Sequence, residues 1–140
     1  TFGKGCSGSS KYLPVLGPDP VLNSAPVIGG AFTLLNEGLP PAQLVLLSFG
    51  ASNNTWGGLS LPFSLAPLGM TGCDLLVSLD ILVTGARSNG AGRVWWTMPI
   101  PDDPKLLGIV FYNQSAVVAP GANPGGLLWS NGGEGTIGVR

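Results

Sequence analysis

The chain has 140 residues, of which 44% are hydrophobic and only 9% charged; it carries 6 basic and 7 acidic side chains, a formal net charge of -1 and no histidine. A soluble domain ordinarily has about 25% charged residues, so much of this surface must be neutral. High hydrophobicity with low charge excludes intrinsic disorder, and six scattered cations cannot neutralise a phosphate backbone, which argues against nucleic acid as a partner.

The length fits one domain over residues 1–140, enough to bury a core without a metal. The chain opens on Thr1-Phe2-Gly3-Lys4-Gly5-Cys6. With no Met in front, this reads as the mature end left by a removed signal peptide, or as a trimmed terminus. The 23 glycines and 13 prolines leave little room for helical periodicity, and short apolar runs between turn residues dominate. A first strand is predicted at residues 11–16, before the turn Gly17-Pro18-Asp19-Pro20. A second spans 27–35 and ends at Asn36-Glu37-Gly38-Leu39-Pro40-Pro41. The third, 43–49, contains the longest aliphatic run, Leu44-Val45-Leu46-Leu47. That run is far short of the roughly 20 residues a spanning helix needs, so no membrane insertion is expected, and the strand belongs in a sheet centre with both faces covered.

Residues 50–58 form a polar loop that holds Trp56. Residues 59–65 alternate with period two around Pro62, and a proline that cannot donate makes this an edge or bulged strand. After a turn at 67–72, residues 73–78 and 81–84 read as one bent strand interrupted at Leu79-Asp80, and 85–92 as a hairpin or longer loop with Ser88-Asn89-Gly90 at its tip. Residues 93–98 place Val94, Trp96 and Met98 on one face and Arg93, Trp95 and Thr97 on the other, so at least one Trp lies near the surface or an interface. Ile100-Pro101-Asp102-Asp103-Pro104 ends that strand, and 105–107 makes a single helical turn. In the long strand 109–118, Val110, Tyr112, Gln114 and Ala116 alternate with Phe111, Asn113 and Ser115. A loop at 119–126, a strand at 127–130, a turn at Asn131-Gly132-Gly133 and a last strand at 135–139 complete the chain. The prediction is all-β: a two-sheet antiparallel β-sandwich, jelly-roll or immunoglobulin-like Greek key, with about nine strands.

The absence of histidine removes the commonest general base and metal ligand and excludes Ser-His-Asp and Cys-His catalysis. Cys6 and Cys73 have neither the spacing nor the companions of a zinc or redox site. We read them as a disulfide formed in an oxidising compartment, within or between chains, in preference to two buried thiols. Of the acids Asp19, Glu37, Asp74, Asp80, Asp102, Asp103 and Glu134, none sits in a setting that shifts a pKa toward catalysis. An enzyme is therefore not expected, nor a cofactor. Asp102 and Asp103 read first as turn and cap residues beside Pro104 and second as calcium ligands; the capping reading leaves no metal site. Aromatic faces stack on sugar rings, so Trp56, Trp95 and Trp129 are candidate platforms for polysaccharide. The competing reading makes each Trp a core filler with its indole N–H bonded to a backbone carbonyl, and we favour it for Trp96. Asn53-Asn54-Thr55 and Asn113-Gln114-Ser115 are acceptor sequons in a glycosylating host, with Asn53 in an exposed loop and Asn113 inside a strand.

Several short motifs occur in order: Trp56-Gly57-Gly58, Leu61-Pro62-Phe63, Leu68-Gly69, Gly72-Cys73, Ile100-Pro101-Asp102-Asp103-Pro104, Leu107-Gly108 and Phe111-Tyr112-x-Gln114. With Phe2-Gly3-x-Gly5-Cys6 at the start and the Gly-rich end 135–139, the chain resembles a domain recurrent in secreted proteins of environmental bacteria, particularly planctomycetes. The resemblance implies an exported β-sandwich with a bridge between Cys6 and Cys73, and carries over no catalytic residues. The functional expectation is a non-enzymatic secreted structural protein, a self-associating extracellular subunit of a fibre, layer or surface assembly. Copies of itself are the expected partner, through the N-terminal segment 1–26, with the stretch 12–28 suspected of crossing over, or through the C-terminal strand 135–139. The alternative is a carbohydrate or cell-surface binding module.

Overall fold

Apolar residues alternating between glycine and proline turns form strands throughout the computed structural model, which describes residues 1–22 and 25–139. The strands are β1 (Val15–Pro18), β2 (Ala31–Glu37), β3 (Leu44–Gly50), β4 (Thr55–Trp56), β5 (Leu59–Ser60), β6 (Phe63–Ser64), β7 (Asp74–Leu75), β8 (Ile81–Arg87), β9 (Val94–Pro99), β10 (Val110–Val118) and β11 (Leu127–Thr136). Two 3-10 turns, Ala66–Leu68 and Pro104–Leu106, are the helical residues among those described.

The seven longer strands make two antiparallel sheets, a three-stranded one in the order β1-β2-β9 and a four-stranded one in the order β11-β10-β3-β8. Numbered among themselves in chain order, they run 1-2-5 and 7-6-3-4. Leu16, Phe32, Leu34, Val94 and Trp96 from the small sheet and Val45, Leu47, Val117 and Leu128 from the large one share a single buried cluster. This is an all-β architecture compatible with a sandwich. The period-two pattern of β9 holds: Val94 and Trp96 are buried, and Trp95 and Thr97 are exposed. β3 lies between β10 and β8, the central place its apolar run requires.

Among the described residues there are eleven strands, not about nine, and the surplus comes from residues 55–75. The run 59–65 is not one strand: Pro62 offers no N–H, and the chain breaks there into β5, which pairs with β4, and β6, which pairs with β7. These hairpins and the N-terminal segment cover the outer face of the large sheet. Three ties hold them. The Cys6–Cys73 disulfide joins the two covering segments within one chain. The buried Gln114 side chain, on the outer face of β10, accepts from the Leu76 N–H and donates to the carbonyls of Asp74 and Ser130, each at 2.9 Å. Phe2 exchanges backbone hydrogen bonds with Gly132 at 2.9 and 2.8 Å.

The expected turn at Asn131-Gly132-Gly133 does not form; β11 continues through it to Thr136. The glycines serve close approach. A Cβ on Gly132 would lie 2.5 Å from the Phe2 ring, and one on Gly135 2.5 Å from the Phe111 ring. Opposite Ser115 the ladder bulges, and the Ser115 N–H donates to Ser130 Oγ at 2.9 Å. Asn131 reaches across to β1, accepting from the Leu16 N–H at 2.8 Å and donating to its carbonyl at 2.9 Å. That stitch lies in Val15–Pro18, so β1 begins later than residue 11.

The segments 12–28 and 135–139, suspected of crossing to another copy, both make contacts within the chain. β1 pairs with β2 of its own chain, and Gly138 N–H donates to the Pro26 carbonyl at 3.0 Å. Asn23 and Ser24, within the first of these segments, lie outside the described residues.

Candidate functional site

Asp19, Asp80, Asp103 and Glu37 are occupied in local structure. The Asp19 carboxylate, at the foot of the turn after β1, accepts from the Val21 and Leu22 N–H groups at 2.7 Å each and from Trp95 Nε1 at 2.8 Å. The Leu22 and Val21 donors, with the indole adding to them, hold its pKa below the ordinary 3.8 against the opposing effect of burial. Asp80 is held low in the same way, by the Ala51 N–H and then the Ser78 hydroxyl, each at 2.8 Å. Asp103 caps the second 3-10 turn by accepting from the Lys105 N–H at 3.0 Å, and Glu37 pairs with Arg93 at 3.4 Å. Burial and then the neighbouring Glu134 raise the Tyr112 hydroxyl above its usual pKa. Among the described residues no three Cys, Asp or Glu side chains gather where they would hold a metal ion. Asp102, next to the capping Asp103, packs beside Gly29.

The candidate platforms separate. Trp95 is 46% exposed on the outer face of the small sheet, with its indole edge fixed to Asp19. The Arg93–Glu37 pair lies on the same face, and Thr97 and Thr33 join hydroxyls there at 3.0 Å. Trp56 is half-buried against the core. Trp129, on the opposite face of the molecule, is half-buried with Nε1 donating to Met70 Sδ at 3.3 Å. Trp96 is core, as its alternation requires, but its Nε1 finds no hydrogen-bond partner in the protein, contrary to the expected carbonyl. Asn113 is buried and donates to the Ser48 carbonyl at 3.2 Å, the cross-sheet pairing expected of a strand residue, whereas Asn53 lies in the loop 50–58.

The remaining feature is the flank of the large sheet at β8. Three strands face four, and β8 is left over. Its burial pattern is exposed at six of seven positions, with Ile81 at 62%, Leu82 at 51% and Val83 at 36%. Beside it, between the ends of the two sheets, an apolar cleft of about 230 Å³ opens among Phe32, Phe49, Met98, Ile100, Phe111 and Ile137. Phe49 is the direct partner of Ile81 across β3 and β8, so cleft and strand adjoin. In the sequence Ile81-Leu82-Val83 looks like any buried strand, and the inequality of the sheets is what exposes it. Gln114 is legible in the sequence only as one member of an alternating strand.

No family model matches the chain, and neither a curated protein nor a solved structure matches it.

Proposed function

We propose that the chain is a non-catalytic structural subunit of the extracellular space that associates with copies of itself in a fibre, layer or surface assembly. One observation carries this reading: among the described residues fifteen large hydrophobic side chains are exposed, more than the 6 basic and 7 acidic residues of the whole sequence together. A surface with more exposed apolar anchors than charges gains free energy by burial against something. The lack of histidine and the commitment of both cysteines to a disulfide weigh against catalysis. The disulfide also belongs to an oxidising compartment, in keeping with the resemblance to secreted domains. No helix among the described residues is long and apolar enough to cross a membrane. The strand order 1-2-5 over 7-6-3-4 supports the immunoglobulin-like Greek key over the jelly roll. Sedimentation and negative-stain microscopy of the purified chain test the proposal. Discrete assemblies that dissociate in mild detergent are expected, and monodisperse particles of 14.2 kDa at every concentration overturn it.

A second reading, polysaccharide binding, has one observation in its favour, and that observation points to Trp95. Its ring is exposed, its orientation is fixed by Asp19, and a guanidinium, a carboxylate and two hydroxyls share its face. Pull-down on insoluble polysaccharides tests it: Trp95→Ala abolishes binding and Trp56→Ala leaves it unchanged. Binding that survives Trp95→Ala refutes the platform.

A further inference from the structure

A sheet edge presents unpaired N–H and C=O groups, and proteins guard such edges with Lys, Pro, bulges or covering segments. Two of the four edges here are tied to other parts of the chain, and a third ends in proline. Residues 2–6 run along β11, with Cys6 N–H donating to the Trp129 carbonyl at 3.0 Å in addition to the Phe2–Gly132 exchange. β1 is stitched to β11 through Asn131. Among the described residues β9 pairs with β2 alone, and it ends in Pro99.

β8 is the exception. Among the described residues it pairs with β3 alone. It contains neither Pro nor Lys, and no charge from Ile81 to Ala86. Its bulge falls after Val83, where Gly85 has φ +93, so residues 81–83 keep a regular register. Ile81 and Val83 lie opposite Phe49 and Leu47 on the core side, and Leu82 lies opposite Ser48 on the other. Both faces of this edge are therefore apolar and exposed. Charge identifies the occupant. Asp80 stands immediately before the strand and Arg87 at its end, both exposed. Two such strands laid antiparallel set the Asp80 end of one beside the Arg87 end of the other, twice. A parallel copy would set like beside like.

We infer that the contact between copies is β8 against β8: two chains pair these strands antiparallel about a two-fold axis, joining two four-stranded sheets into one of eight. This rests on the self-association proposed above and names its interface. The pairing satisfies the open backbone groups and covers Ile81, Leu82 and Val83 of both copies. It is self-complementary and closes on itself, so any larger assembly grows through a second surface.

Sedimentation equilibrium over a concentration series tests it, using the oxidised chain, Leu82→Lys at the edge and Leu68→Lys as a control. Leu68 is exposed on the first 3-10 turn, away from β8. The unaltered chain and Leu68→Lys are expected to dimerise equally. Leu82→Lys, which enters the interface twice, weakens association at least about a hundredfold, with near-UV circular dichroism unchanged. Should Leu82→Lys fold poorly, Arg87→Glu replaces it. That variant leaves every apolar residue in place and is expected to weaken the dimer about tenfold, more so at low salt. Association that survives Leu82→Lys, or that Leu68→Lys weakens as much, overturns the β8 interface and leaves the self-association reading standing. An unaltered chain that stays monomeric throughout leaves β8 to another occupant and overturns both.

Discussion

Replacing Gln114 by Met keeps the length of the side chain and removes all its polar atoms. In the native chain that side chain makes three hydrogen bonds of 2.9 Å, all to backbone groups, and two of the three partners, Leu76 and Asp74, belong to the layer that covers the large sheet. Each such bond contributes about 1 kcal/mol net, and a buried group left without a partner costs about 1–3 kcal/mol. Leu76 is itself buried, so its N–H has no ready substitute in water. The expected destabilisation is about 3 kcal/mol, or a fall in Tm on the order of 10 °C for a domain of this size. Chemical unfolding of the oxidised chain measures the first. Amide hydrogen exchange locates it: the Leu76 N–H loses protection first while the β10–β3 ladder keeps its own. A loss under about 1 kcal/mol, or a Leu76 amide as protected as before, refutes the claim that Gln114 fastens the covering layer to the sheet.

Replacing both Cys6 and Cys73 by Ser opens a loop with a sequence separation of 67 and is expected to cost about 4 kcal/mol by the chain-entropy relation; a loss under about 1 kcal/mol contradicts that relation here. Asp19 carries a pH dependence whose sign follows from its lowered pKa. A carboxylate with a depressed folded pKa stabilises the fold above its unfolded value, near pH 4, and that stabilisation is lost as the pH falls through the lower folded value. The difference in urea midpoint between the native chain and Asp19→Ala is therefore greatest at neutral pH and shrinks below about pH 4, and a constant difference across that range rules the linkage out. Protonation also weakens the bond to Trp95, so indole fluorescence should shift over the same acid limb in the native chain and lose that component in Asp19→Ala.

The all-β class, the central place of β3, the inward face of β9 and the cap at Asp103 follow from local rules. Alternation sorts side chains to two faces whatever the strand later pairs with, and an Asp before Pro-Lys caps a turn with groups a few bonds away. The sequence alone also determined the charge deficit and the absence of histidine, and through them the classes of function that remain. Other features needed the fold, because they depend on groups far apart in the chain. The glycines of β11 read as a turn until the rings of Phe2 and Phe111 lie on them. Gln114 reads as a polar residue in a strand until Asp74 and Leu76, 40 and 38 positions away, come within hydrogen-bond distance. The exposure of Ile81, Leu82 and Val83 was likewise beyond any local pattern. It follows from four strands packing on three, and burial is decided by what lies across the core from a residue, which only the tertiary structure supplies.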